Sequence, residues 1–376
     1  MSRLFIVTGE ASGDAHGANL AKALRALRPD SELVGVGGHR MAEAGVELVT
    51  GLKRLDHMGL PGPSVLLGAY HNYRRLAGIL NRTRFDAVVF IDHPGLNLRL
   101  ARVAKAAGQR VVYYIAPQIW AWAPGRITLI RQVVDQMLVI LPFEQALYQQ
   151  AGVPCEFVGH PLLDQVAPSY NPLELRHRFG LEGGGPVIGL LPGSRESEIR
   201  SLLPILLEAA TLILKQEPSA RFVLAQAGSV SDELLASQLQ GREVPVTVVK
   251  DQASEVMACA DVLLVASGTA TLQAAIVGTP MVLLYTTAWL TYWIVRLKIL
   301  VQWIGLVNIV AGRSVVPELI QQEATPDRVS KEAMKLLRDP EAAMAMKEAL
   351  REVRESLGKP GASSRAAEAI LKVCRA

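Results

Sequence analysis

An acid closing an apolar run is the first residue of this chain placed as a catalytic group would be. Ala87 to Ile91 is apolar throughout and stops at Asp92, which is followed by His93, Pro94 and Gly95. A carboxylate desolvated at the end of a buried strand can take a proton from a substrate hydroxyl as general base, and His93 stands beside it as an alternative. Capping of the following helix is an equally weighted role for Asp92, with Asn97 available for the same work. Closer to the N-terminus, Gly9-Glu10-Ala11-Ser12-Gly13-Asp14 leads to His16. The spacing is not that of a dinucleotide fingerprint. Its glycines allow the backbone to approach a ligand, Ser12 or Asp14 can cap the helix that follows, and Glu10 and His16 are acid–base candidates behind that simpler reading.

A second group of residues suits anion binding. Val187 to Leu191 runs into Pro192-Gly193-Ser194-Arg195-Glu196-Ser197-Glu198 and then a long helical stretch. Such a junction presents free backbone amides and the positive end of a helix, and Ser194 and Arg195 sit where a diphosphate would be gripped, the arginine bidentately. A surface Arg195 paired with Glu196 or Glu198 is the less favoured alternative. Val262 to Ala266 enters a similar junction at Ser267-Gly268-Thr269-Ala270-Thr271, with Gln273 one turn into the helix. Hydroxyls and amides there complement an anion, although Ser267 and Thr269 would serve equally as ordinary caps. Asn308, Arg313, Pro317, Glu318 and Gln321 lie in a polar stretch, 305–322, that reads as a loop entering a short helix. No His, Cys or carboxylate set has the spacing of a metal site and no Asp-X-Asp pair occurs, so neither a metal nor another cofactor is expected.

These residues follow strands, and the strands come in two series. Leu4–Thr8, Glu32–Val36, Ala87–Asp92, Arg110–Ile115 and Gln136–Ile140 alternate with amphipathic stretches, and a fresh series begins with Val187–Leu191, Arg221–Leu224, Val246–Val249, Val262–Ala266 and Met281–Tyr285. Repeated βα units predict an α/β fold with parallel sheets, each series making one doubly wound, Rossmann-like domain. Open sheets of this kind bind ligands at the carboxyl ends of their strands, so two such domains facing one another would form a cleft lined by the loops above. The Pro- and Gly-rich stretch 167–186 predicts a hinge in it or just before it, with the boundary near Pro168, giving domains at 1–167 and 168–358 and a terminal helix, 359–376, crossing back to the first domain.

Among 376 residues the net charge is +4 and half the residues are apolar, with a sequence pI of about 9.0 and a mean hydropathy of +0.24. No Lys/Arg cluster is interleaved with aromatics, so a nucleic-acid partner is not expected. Cys155, Cys259 and Cys374 are far apart, which fits a reducing compartment, and the N-terminus has no signal-peptide pattern. The apolar excess is concentrated in Trp289 to Leu306, which holds Trp289, Tyr292, Trp293 and Trp303 but also Arg296 and Lys298. Central charges argue against a bilayer span and for a helix lying in the lipid interface. Leu60 to Leu80, followed by Arg82 and containing Arg74 and Arg75, has a similar mix, and the two would form one lipid-facing rim.

Taken in order and spacing, GEASGD (Gly9 to Asp14) with His16 and Gly17, Phe90 to Pro94, PQIWAW (Pro117 to Trp122), VGHPLLD (Val158 to Asp164), LPGSRE (Leu191 to Glu196), SGTATL (Ser267 to Leu272) and PELIQ (Pro317 to Gln321) resemble the lipid-A-disaccharide synthase family across nearly the whole chain. The resemblance implies the GT-B architecture and an inverting glycosyltransferase. Its donor would be UDP-2,3-diacylglucosamine, its acceptor 2,3-diacylglucosamine 1-phosphate, and its products a tetraacyl disaccharide 1-phosphate and UDP. It also implies Asp92 as general base, Arg195 on the nucleotide diphosphate and a requirement for Asn308; Glu318 is a further substrate-binding candidate. Two departures stand out. Gln273 takes the place of a glutamate that holds the nucleotide ribose, and Val307 that of a proline before Asn308.

The expected enzyme is therefore a cytoplasmic protein peripheral on the inner face of the inner membrane, with a homodimer left open. Domain closure would exclude water, and Arg195 with the 267–269 helix start would meet the charge of the departing diphosphate. The rival readings are another GT-B transferase or a UDP-sugar epimerase, and a non-catalytic protein of the same fold that binds lipid or nucleotide sugar, the latter motivated by Gln273.

Overall fold

The computed structural model describes residues 2–9, 11–52, 63–287 and 300–375. Among them the chain forms two compact units, one of residues 1–161 and 357–376 and the other of residues 162–356. In the first, seven parallel strands are β1 (Arg3–Thr8), β2 (Glu32–Val36), β3 (Glu47–Leu48), β4 (Ala87–Ile91), β5 (Val111–Tyr114), β6 (Gln136–Val139) and β7 (Cys155–Phe157), in the order β3-β2-β1-β4-β5-β6-β7. The second holds β8 (Val187–Leu191), β9 (Arg221–Gln226), β10 (Val246–Lys250), β11 (Val262–Ala266), β12 (Met281–Tyr285) and β13 (Glu318–Ile320), in the order β10-β9-β8-β11-β12-β13. Both are doubly wound. In each, strand order reverses beside the first strand, between β1 and β4 and between β8 and β11, and that reversal opens the crevice where such sheets take ligands.

Continuous apolar runs became strands because helices cover both faces of each sheet, so both side-chain sets of a strand are buried. β1 illustrates this with period two: Leu4 and Ile6 join one core, Phe5 and Val7 the other. The Leu4 core also takes Leu20 and Leu24 from the Ala11–Leu27 helix and Ala366, Ala367, Ile370 and Leu371 from the last helix, Ala362–Arg375. Small alanines on that helix allow it to lie close against its neighbour, and Arg365 ties it down by donating to the carbonyl of Val158 at 2.8 Å.

The first unit ends at Pro161, shortly before the stretch 167–186, in or just before which the sequence reading has the hinge, and a few residues before the boundary near Pro168. That stretch is part of the second unit. Asn171 caps the Pro172–Arg178 helix, and Arg176 fixes it to the sheet by an ion pair with Asp261 at 2.9 Å and a bond to the Cys259 carbonyl at 2.8 Å. The stretch 305–322 likewise holds more structure than a loop: a short helix at Leu306–Ala311 and strand β13, which extends the sheet from β12. Most of the tryptophan-rich segment, 288–299, and the start of the other lipid-facing candidate, 60–62, lie outside the described residues. Among those described, no helix is long and apolar enough to cross a membrane.

Candidate active site

At the β1/β4 crevice the chain reverses out of β4 through Asp92 and His93, both in the left-handed region with φ of 49° and 43°. Consecutive non-glycine residues there cost energy and persist only where the surroundings impose them, a feature that concentrates at functional sites. The clamp is visible. The Asp92 carbonyl accepts from Asn97 Nδ2 at 2.8 Å and from the Tyr113 hydroxyl at 2.5 Å, and its amide donates to the Tyr114 carbonyl at 3.2 Å. Asn97, fully buried, also holds the Ile91 carbonyl at 3.0 Å. Asn97 therefore fixes the backbone of the strand end, and Asp92 sits before the Pro94–Ala106 helix without capping it: His93 is at the N-cap, with no side-chain cap bond. His93 in turn packs over Gly9, where a Cβ would come within 2.4 Å of its ring.

His16 lies in the Ala11–Leu27 helix, and burial lowers its pKa; His160, lowered to about 4 by burial and then by His16, is its electrostatic neighbour. Both imidazoles are neutral at pH 7. The Nδ1 atoms of His16 and His93 are buried without a hydrogen-bond partner among the described residues. Glu10 lies outside the described residues. Asp14 caps, but not its own helix: its carboxylate accepts the amides of Gly38, Arg40 and Met41 at 2.7 to 3.1 Å, closing the start of the His39–Glu43 helix. Asp92 itself lines a pocket of about 350 Å³ with Gln118, Trp122, Arg126 and Glu144. Glu144 is buried, accepts from Trp120 Nε1 at 3.0 Å, and burial pushes its pKa up to about 7.

The second unit has a larger pocket, about 640 Å³, at the β8/β11 reversal. Ser194, Arg195, Ser267, Gly268, Thr269 and Gln273 all line it, so the two junctions read as anion sites open onto one cavity. Gly193, with φ of 116°, makes the turn after β8. Arg195 is exposed and pairs with Glu198 at 3.3 Å, the less favoured of its two expected settings, while still facing the cavity. The Glu198 carboxylate also accepts the amides of Ser194 and Arg195 at 2.9 and 3.2 Å. It occupies with its own charge the donors that a phosphate would use. The sequence offered no signal for the opposite wall, formed by residues after β9 and β10 such as Ala227 and Asp251, beyond their position at strand ends.

Asn308 and Glu318 are not on that cavity wall. Asn308 is fully buried and all of its capacity is used: it donates to the Val316 carbonyl and Glu318 Oε1 at 3.0 and 2.8 Å and accepts the amides of Val315 and Val316 at 2.8 and 3.0 Å. Glu318 also accepts the amides of Ile304 and Gly305 at 2.9 and 3.0 Å. The Ile304 carbonyl receives the Ser267 hydroxyl at 3.4 Å. The pair thus braces the loop behind the helix start at 267–269, a function of position that a list of polar residues in an expected loop could not reveal.

The profile of the family described as Lipid-A-disaccharide synthetase matches residues 4–373. The chain belongs to the lipid-A-disaccharide synthase family. It is 45% identical over 375 residues to the lipid-A-disaccharide synthase of Trichlorobacter lovleyi, covering 99% of this chain and 97% of that protein. With the synthase of Nitrosococcus oceani the identity is 44%, over 94% of this chain and 92% of the other. As a member of this synthase family the chain is a glycosyltransferase of lipid A biosynthesis. Its fold is shared with the Neisseria meningitidis UDP-GlcNAc 2-epimerase bound to UDP-GlcNAc, with a TM-score of 0.63 at 13% identity over 99% of this chain and 100% of that one. In this synthase-family chain Gln273 donates its amide to Ser254 Oγ at 2.7 Å, which leaves its oxygen as the acceptor available to a ligand.

Proposed function

We propose that this glycosyltransferase joins UDP-2,3-diacylglucosamine to 2,3-diacylglucosamine 1-phosphate, giving a β-linked tetraacyl disaccharide 1-phosphate and UDP. Asp92 takes the proton from the acceptor's primary hydroxyl. That oxygen bonds to the donor's anomeric carbon as the bond to the diphosphate breaks, and UDP leaves with the electron pair, inverting the configuration in one displacement. The observation that carries the reading is the clamped, left-handed backbone at Asp92, which holds a carboxylate on a pocket wall at the crevice of its sheet.

The nucleotide occupies the cavity of the second unit. Arg195 and the amides and hydroxyls of 267–269 face the diphosphate, with Ser194 beside them, and Gln273 accepts from the ribose. His16 and His93 offer their unpaired nitrogens to sugar hydroxyls, while Asn308 and Glu318 act through the loop they brace. The acylated substrates are met at a lipid surface on the cytoplasmic face of the inner membrane. Leu67 and Tyr70 are exposed three residues apart on the Pro63–Arg82 helix, with the Arg74 guanidinium over the Tyr70 ring, an apolar face with a basic edge of the kind that rests in an interface. The test is mass spectrometry of the lipids after incubating the pure protein with both substrates. A tetraacyl disaccharide 1-phosphate formed with one UDP per product is expected; UDP release or sugar epimerisation without disaccharide would overturn the reading.

A further inference from the structure

The pocket that contains Asp92 also contains a cation that the reaction as proposed does not use. Arg126 ends the 3-10 turn Pro124–Arg126, is exposed, and is the single basic side chain on that pocket's wall. Its guanidinium has no ion-pair or hydrogen-bond partner among the described residues, whereas the Arg195 guanidinium already has Glu198. Around it the wall is apolar, built of Ile115, Ile119, Trp122, Ile140 and Leu141. Asp92 and Arg126 both act electrostatically on the Tyr113 hydroxyl, so the two charges converge on one small volume. A pocket of about 350 Å³ is at the lower end of what holds a small-molecule ligand, enough for one sugar ring with a charged substituent.

We propose that Arg126 binds the anomeric phosphate of the acceptor and so selects a phosphorylated sugar for Asp92 to deprotonate. The proposal rests on the function argued above. It assigns the two ends of the acceptor ring to two side chains: the primary hydroxyl to Asp92 and the phosphate to Arg126, whose planar fork matches phosphate oxygens. The second acid on the wall, Glu144, does not oppose this. Burial pushes its pKa up to about 7, so it accepts a proton when an anion enters near neutral pH.

The experiment compares the unaltered enzyme with Arg126→Gln and Arg126→Lys, using as acceptor either 2,3-diacylglucosamine 1-phosphate or 2,3-diacylglucosamine. Arg126→Gln should raise KM for the phosphorylated acceptor about 10- to 100-fold, the loss of one charge-assisted hydrogen bond or two. KM for the UDP-sugar and for the unphosphorylated acceptor should stay as they were, and Arg126→Lys should recover part of the loss. An equal loss with both acceptors, no loss with either, or a rise in donor KM alone would overturn the assignment while leaving the overall function intact. Absence of disaccharide from the unaltered enzyme would overturn both.

Discussion

Arg195 shows how one side chain can satisfy a structural and a functional reading together. Its ion pair with Glu198 is one any exposed helix start could make, yet the same carboxylate covers the amides of Ser194 and Arg195. A phosphate must displace it. Glu198→Gln keeps the capping shape but removes the competing charge, so UDP should bind up to about fivefold more tightly, the equivalent of the ~1 kcal/mol that an exposed ion pair is worth. Calorimetric titration with UDP checks this, and weaker binding would mean that the Glu198 charge does not compete. Residue types and strand-end positions singled out Asp92, Arg195 and the 267–269 turn, each of which lines a pocket. They did not reveal the bracing by Asn308 and Glu318, which bond to one another and to the backbone of 304–305 and 315–316. Nor did they distinguish Arg126, which follows a helix instead of a strand.

The elements were legible wherever a run was apolar on both faces. Nine of the ten strand runs match the structure within a residue at each end, and the tenth, Arg221–Leu224, extends two residues further to Gln226. β3, β7 and β13 span two or three residues each and were missed, since so short a strand has no periodicity and exists only by pairing with its neighbour. Asp14 was legible as a cap but not as the cap of another helix, which is a tertiary fact. The turn after β1 carries the sharpest test at this scale. Gly9→Ala drives a Cβ to within 2.4 Å of the His93 ring and so moves the residue next to Asp92. Steady-state kinetics should show kcat lowered about 100-fold, as for a catalytic group displaced by ~1 Å, with UDP affinity unchanged because the cavity proposed for the nucleotide is lined by the other unit. Unaltered kcat would show that His93 can give way without disturbing Asp92.

For the molecule as a whole, two opposed titrations sit in the first unit. Glu144 is pushed from 4.5 up to about 7, so its contribution to stability is present at low pH and lost as pH rises through that value. His160 is lowered from 6.5 to about 4, so its contribution is present above 6.5 and lost as pH falls. Each shift amounts to about 3 kcal/mol over the same window, and they offset one another. Glu144→Gln removes one side, so thermal unfolding at pH 5 against pH 7 should show a larger drop on acidification than in the parent; an equal drop would mean that Glu144 is not buried as an acid. The two-sheet organisation was visible in the recurrence of βα units, and the chain rejoins the first unit at Leu357, close to the terminal helix, 359–376, expected to cross back, although the alanines that let it pack closely there are announced by no periodicity. What joins these scales is the proposed division of labour between a base in one unit and a nucleotide in the other. The measurement that tests it most directly is turnover and UDP affinity of Asp92→Asn, determined on the same preparation. Disaccharide synthesis should fall by at least about 100-fold, within the range for loss of a general base, while the dissociation constant for UDP stays at the value of the unaltered enzyme. Synthesis at the full rate, or loss of UDP binding in step with activity, would contradict the account.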